Sequence, residues 1–305
     1  MENTMSKIAV IGAGSVGATT AYTLVMKNLA AEVILVDINE AKEEGEVMDI
    51  NDALSFVETG KIKGGSYEDA ATADVIIITA GLPQKTGEQN RLELVNKNKE
   101  IIRSIFGQLK PLNPSAVIVI VSNPVDIMAY YAQELSGLPR TQVFGTGTSL
   151  DTARLRTEIG LALDVNPQSV SGFVLGEHGE SEFVAWSTVN VGGVPIREKL
   201  SQDRIDEIAQ KVKDDAKNII DRKGATFYGI AAVVSDVVES ILLDQDKVLP
   251  ISTRLENHSG ISGVCLGMPA VIGRQGIKEI WNLELVGSEK EKLRQSAEAI
   301  RQYIL

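Results

Sequence analysis

Four stretches of the chain are unbroken apolar runs: Lys7-Ile8-Ala9-Val10-Ile11, Glu32-Val33-Ile34-Leu35-Val36-Asp37, Asp74-Val75-Ile76-Ile77-Ile78-Thr79-Ala80-Gly81 and Ala116-Val117-Ile118-Val119-Ile120-Val121. They are short, rich in β-branched residues and not alternating, which predicts strands buried on both faces of a parallel sheet. Between them, residues 18–27, 40–57, 92–109 and 126–135 read as helices, and 143–147 as a short fifth strand. Strands alternating with helices predict an α/β fold, a Rossmann-type doubly wound parallel sheet with right-handed crossovers.

Past residue 146 the alternation stops. Residues 150–161, 205–220, 226–243 and 288–303 read as helices; 170–175, 187–191, 248–252, 263–266 and 269–273 read as short strands. This order predicts an α+β second domain, with a nucleotide-binding domain over 1–146 and a catalytic domain over 147–305.

Chemistry enters at the ends of the apolar runs. Gly12-Ala13-Gly14-Ser15-Val16-Gly17 follows the first strand directly and opens a helix. In that context Gly12 permits a tight turn, Gly14 lets backbone approach a pyrophosphate, and Gly17 allows close helix–strand packing. The helix N-terminus favours the phosphate charge. Asp37 ends the second strand, twenty residues past Gly17. An acid there accepts from ribose hydroxyls and repels a 2′-phosphate, so the cofactor is read as NAD. Gly81 and Ser122-Asn123-Pro124-Val125 lie at the same sheet edge, and residues 82–91 suit a lid. Further on, Gly176-Glu177-His178-Gly179 presents one imidazole after an apolar run, and Leu150-Asp151-Thr152-Ala153-Arg154 places a carboxylate and a guanidinium three apart. A proton acceptor, an orienting acid, an anion clamp and a dinucleotide loop together suggest hydride transfer on a small acid.

Composition narrows the partners. A net charge of −11 excludes a basic nucleic-acid footprint or a polybasic membrane surface. It also means that an anionic substrate needs local positive charge. The single cysteine, Cys265, excludes an intrachain disulfide and fits a reducing, cytoplasmic setting. No signal peptide or membrane-spanning run is expected, nor is a metal site. Of the two histidines, His258 lies in a polar stretch and reads as structural.

Read together, Ile11-Gly12-Ala13-Gly14-Ser15-Val16-Gly17, Thr79-Ala80-Gly81, Ser122-Asn123-Pro124-Val125-Asp126, Gly145-Thr146-Gly147-Thr148-Ser149-Leu150-Asp151-Thr152-Ala153-Arg154, Gly176-Glu177-His178-Gly179 and Lys223-Gly224-Ala225-Thr226 resemble the L-lactate/L-malate dehydrogenase family over essentially the whole chain. The resemblance implies NAD contacts at Gly12, Gly14, Ser15, Val16, Gly17, Asp37, Thr79, Ala80, Gly81, Val121, Asn123 and Ile230. It implies that His178 exchanges the hydroxyl proton, that Asp151 orients the imidazole, and that Arg91 polarises the ketone oxygen. Arg154 would clamp the substrate carboxylate, Asn123 would bond the reacting oxygen, and Thr226 would line the pocket. A homotetramer, or a dimer, is the expected assembly.

Substrate choice in this family turns on a lid residue. Counting from Ala80-Gly81 places Gln84 there, which favours pyruvate and lactate over oxaloacetate and malate. Counting back from Arg91 places Lys85 there, because Gly87-Glu88-Gln89-Asn90-Arg91 is one residue longer than expected. A longer lid also leaves room for a bulkier 2-hydroxy acid. Arg156 matches an arginine that binds fructose 1,6-bisphosphate in bacterial members, but Ser171 stands where the partner histidine would be, so little activation is expected. Six residues precede Lys7, so the N-terminal arm of animal members is expected to be absent. Glu180 stands where the family often has aspartate. An NAD-binding sensor without turnover is the competing, non-enzymatic reading.

Overall fold

The computed structural model describes residues 6–58, 60–82 and 91–304, with the Arg91 side chain excepted. The apolar runs become β1 (Lys7–Ile11), β2 (Glu32–Val36), β4 (Val75–Ile78) and β5 (Val117–Ile120), joined by β6 (Val143–Gly145). A sixth parallel strand, β3 (Ile62–Gly64), corrects the expected five. It is three residues long with one buried, and so carries no apolar run to announce it. The parallel order is β3-β2-β1-β4-β5-β6. Its winding reverses between β1 and β4, which is where such sheets open a ligand crevice.

Helices cover both faces: α1 (Ser15–Met26), α2 (Glu40–Asp52), α3 (Tyr67–Ala71), α4 (Arg91–Gln108) and α5 (Val125–Ser136). The expected helix over 40–57 is α2 with a 3₁₀ turn, Ala53–Phe56, at its end. Strand residues of alternate parity feed two separate cores. Ile76 and Ile78 face one, Ile77 and Val75 the other.

The second half begins with α6 (Ser149–Leu163), directly after β6. The run 170–175 is two strands rather than one, β7 (Val170–Ser171) and β8 (Val174–Leu175). Gly172 between them has φ +135° and breaks the pairing. β9 (Phe183–Val184) pairs with β8, and β10 (Asn190–Val191) pairs with β7 and β11 (Val194–Pro195). Residues 187–188, read as strand, belong to a 3₁₀ turn. Then come α7 (Gln202–Lys223) and α8 (Tyr228–Leu242).

The last strands, β12 (Lys247–Arg254), β13 (Cys265–Gly273) and β14 (Gly276–Ile280), extend the parallel sheet antiparallel beyond β6, giving nine strands; α9 (Gly287–Ile304) closes the chain. The two strands expected at 263–266 and 269–273 are one. Pro269 lies opposite Pro250, a position where neither residue has an N–H to lose. No helix among the described residues is long and apolar enough to cross a membrane.

One of the closest meetings of the halves is at β6. β12 pairs with β6 only through Ser252 opposite Gly145. Just beyond, Gly147 has φ +52°, and a Cβ there would stand 2.5 Å from the Ser252 amide nitrogen. Gly147→Ala should therefore destabilise the chain by about 1–3 kcal/mol or more. The check is the urea midpoint at unchanged m-value.

Candidate active site

The glycine loop is built by steric exclusion. A Cβ on Gly17 would lie 1.7 Å from the Gly12 carbonyl oxygen, and one on Gly12 (φ +107°) 2.8 Å from Ala80 N and from Thr79 Oγ1. Both positions exclude any side chain, so α1 can sit against the ends of β1 and β4. Gly14, by contrast, has nothing within 4 Å of its Cβ position. It caps α1 without a side-chain acceptor, which leaves the first-turn amides of Ser15 and Val16 facing open space, as an incoming pyrophosphate requires. The residues present thus fit a dinucleotide.

Thr79 Oγ1 donates to the Ile11 and Gly12 carbonyls at 3.1 and 3.0 Å and ties the two strand ends together. Asp37 does more than the sequence suggests. Its carboxylate accepts from Ala13 N at 2.6 Å and Asn39 N at 2.9 Å, so it braces the glycine loop. Glu43 of α2 accepts from Asp37 N at 2.8 Å.

The candidate site is centred on one buried carboxylate. Asp151 Oδ2 lies 2.6 Å from His178 Nδ1, and Asp151 Oδ1 accepts from Arg154 Nη1 at 2.8 Å. Asp151 and Arg154 are buried, whereas the His178 side chain keeps 24% exposure. With Nδ1 held, Nε2 is the ring atom left for a reacting oxygen.

Local chemistry sets this geometry. Thr148 Oγ1 donates to the Val174 carbonyl at 2.6 Å, and Thr152 Oγ1 accepts from Val174 N at 2.9 Å. These two threonines, one turn apart, stitch α6 to β8 on either side of Asp151. Beyond β8, Gly176 bridges to Gly267 of β13 through two backbone bonds, and the loop turns to carry His178. The His178 amide donates to Asp126 Oδ2 at 2.8 Å, and Ser252 Oγ donates to Asp126 Oδ1 at 2.6 Å. Asp126 of α5 and Ser252 of β12 thus fix the loop from both halves of the chain.

Charge follows burial. Burial alone would strip His178 of its proton. The Asp151 carboxylate outweighs it, with help from Glu182 and Asp126, and pushes the imidazole up to about 9. Burial would raise Asp151, but His178 and Arg154 hold it below the usual carboxylate range. Asp126, buried with only hydrogen-bond donors and the His178 charge to help it, rises to about 6.

Other expected residues fall around this centre. Asn123 is exposed at the end of β5, its carbonyl accepting from Asn98 Nδ2 at 2.7 Å. Ser122 Oγ donates to the Ala80 carbonyl at 2.6 Å, linking that loop to Thr79-Ala80-Gly81. Val121 and Ile230 both pack, half-buried, against the same core. Thr226 is half-buried in the turn before α8, and Gly229 at the start of α8 abuts Leu150, next to Asp151. Gln84, Lys85 and the Arg91 side chain lie outside the described residues. His258 bonds the Ile280 carbonyl at 3.0 Å in a different loop, and Cys265 is a buried thiol pushed well above its usual value by burial.

Four participants were not singled out from the sequence: Asp126, Ser252, Asn98 and Glu182. Asp126 stood within a quoted motif without a role. The other three occupy ordinary helical, strand or loop positions, and only the fold brings them to the site.

The lactate/malate dehydrogenase NAD binding domain profile matches residues 6–145, and the alpha/beta C-terminal domain profile of the same family matches 148–304. The chain belongs to the lactate/malate dehydrogenase family. It is similar to an L-lactate dehydrogenase of Clostridium botulinum (strain 657 / Type Ba4), 44% identical over 303 residues, covering 97% of this chain and 95% of that protein. L-lactate dehydrogenase A of Rhizopus oryzae is 44% identical over 298 residues, covering 97% and 91%. The solved minor L-lactate dehydrogenase of Enterococcus mundtii superposes with a TM-score of 0.95 at 39% identity, covering 99% of this chain and 98% of that one. The cofactor of this family member is NAD, bound by its N-terminal domain.

The His178 charge has a testable sign. Its folded value, about 9, exceeds the unfolded value of roughly 6.5. The attraction to Asp151 therefore adds stability that is complete below about pH 6.5 and lost as pH rises through about 9. In an NMR titration the His178 ring should change protonation near pH 9. In Asp151→Asn it should do so more than one pH unit lower. The chain has two histidines, so the signals are assigned with a His258 variant.

Proposed function

We propose that the chain is an L-lactate dehydrogenase, transferring hydride reversibly between C2 of (S)-lactate and NAD with His178 as the acid/base. The observation that carries this reading is the single Asp151 carboxylate joining His178 to Arg154. It keeps a proton donor and a carboxylate clamp in one rigid geometry. Relatives similar over nearly their full length are named L-lactate dehydrogenases, which supports lactate over the other acids.

In this mechanism Arg154 takes the carboxylate of pyruvate in a two-pronged grip that a lysine lacks. Its Nη1 is engaged by Asp151, which holds the fork still. The keto oxygen sits at His178 Nε2. When bound, NADH would supply the hydride to C2. As charge grows on the oxygen, His178 delivers its proton there; in the reverse direction it removes the hydroxyl proton. Asp151 keeps the ring in the productive orientation and stabilises its charged form. Asn123 and Arg91 belong to the same oxygen's surroundings, with Arg91 carried on the lid. Gly12, Gly14, Ser15, Val16, Gly17 and Asp37 hold the adenosine and pyrophosphate end. Thr79, Ala80, Gly81, Val121 and Ile230 would flank the nicotinamide end and Thr226 the substrate pocket, with Gln84 the specificity residue read from the sequence.

The same reading includes a homo-oligomer in the cytoplasm. Met48, Phe56 and Tyr228 leave large apolar surface exposed, 63%, 82% and 70%, of the kind a second copy covers. It also includes insensitivity to fructose 1,6-bisphosphate. Ser171 is an exposed hydroxyl that offers no cation to a phosphate, and Arg156 shares its surroundings with Asp236.

NADH oxidation with pyruvate, oxaloacetate and 2-oxo-4-methylpentanoate side by side tests the reading, and pyruvate should have the highest kcat/KM. Oxaloacetate winning would put Lys85 at the specificity position, and the branched acid winning would mean that the longer lid opens the pocket. No turnover with any of them would favour an NAD sensor. His178→Gln should lower kcat by about 10²–10⁴. Arg154→Lys should raise KM for pyruvate roughly 10- to 100-fold, the loss of one charged hydrogen bond.

A further inference from the structure

Glu182 has no part in the proposal above, yet it lies inside the catalytic cluster. It sits four residues past His178, at the end of the turn into β9, and is 6% exposed. Its Oε2 lies 3.9 Å from His178 Nδ1, on the nitrogen that Asp151 holds. The ligand atoms of Asp151, His178 and Glu182 all fall within 4.8 Å of one another. Two carboxyl groups this close, in a buried place, share one proton. The cations nearby are His178 and Arg154, and Arg154 is bonded to Asp151.

We propose that Glu182 is a positioning residue for the acid–base histidine. As a neutral acid it donates a hydrogen bond to Asp151, and on ionising it places a second negative charge beside the imidazole, so that His178 keeps its proton into alkaline solution. This rests on His178 being the acid/base.

Charge counting supports the arrangement. With Glu182 neutral, Arg154 and His178 carry two positive charges against the negative charges of Asp151 and of Asp126, which is ionised above about pH 6. With Glu182 ionised, the carboxylates outnumber the cations, and a bound substrate carboxylate adds one more. Burial and the Asp151 charge push Glu182 up to about 8. Ionising it adds a negative charge beside the site of the substrate carboxylate, so KM should rise as pH climbs through that value.

A cavity of about 350 Å³ reaches Glu182 between the 180–186 segment, α7 and α9, and His178, Asp151 and Arg154 do not line it. Its other charged walls are Glu180, Asp206 and Lys213, with Lys292 from α9. On the other side, Asp126 of α5 faces His178, and Asp215 of α7 acts on Arg154.

The test is Glu182→Gln, with Glu180→Gln as an exposed control on the same loop. His178 protonation is followed by NMR, and kcat and KM for pyruvate from pH 6 to 10. In E182Q the imidazole should give up its proton about ten-fold more readily, its midpoint falling by about one pH unit. The rise of KM near pH 8 should vanish, and the fall in kcat should begin at lower pH. E180Q should change neither. If E182Q folds poorly, Glu182→Ser removes the carboxyl without added volume and should lower the midpoint likewise. An unmoved midpoint in folded E182Q or E182S overturns the proposal. Failure of the acid/base reading itself would show separately, as turnover retained in His178→Gln.

Discussion

The Asp151 carboxylate is the constraint on which the site depends. It is buried at the first turn of α6 and has two cationic partners on separate oxygens, Arg154 one turn along its own helix and His178 from a loop 27 residues away. A buried carboxylate with one partner removed costs several kcal/mol, so the three groups stand or fall together. That interdependence gives the site its rigidity. The guanidinium cannot swing without loosening the carboxylate, nor the ring turn without losing it. Catalysis by positioning needs this kind of over-determined geometry.

Holding that carboxylate in place requires elements to approach more closely than side chains ordinarily allow, and glycines permit it. Within the first half, Gly12 and Gly17 bring α1 down on the ends of β1 and β4; between the halves, Gly147 and Gly267 bring β12 and β13 against β6, α6 and the histidine loop. Polar groups then lock the contact. Thr148 and Thr152 bind β8, while Asp126 accepts from the His178 amide and is itself held by the Ser252 hydroxyl. The sheet thereby continues from the dinucleotide crevice to the catalytic loop, so cofactor and substrate are placed by one frame.

Electrostatics complete the picture. The chain carries a net charge of −11, yet its candidate site gathers two cationic groups, Arg154 and His178. Their pull on an anion depends on how many of the nearby carboxyls are ionised. Asp151, Asp126 and Glu182 sit around one imidazole at different levels of burial and pairing, and so part with their protons at different pH.

The sequence by itself determined the local chemistry. Apolar runs announced four of the six parallel strands because burial on both faces removes polar residues. The glycine loop, Asp37, the Asp151–Arg154 spacing and the His178 turn were legible because each is a contiguous pattern with one physical use. It did not show β3, whose three residues hold one buried side chain, nor that β12–β14 continue the first sheet, since pairing partners lie a hundred residues apart. It divided 263–273 wrongly because a proline mid-strand reads as a break until its opposite number is another proline. Asp126, Ser252, Asn98 and Glu182 became functional only in three dimensions. A carboxylate or hydroxyl acquires its role from the group it faces, and which group that is depends on the packing of distant elements, which no stretch of sequence contains.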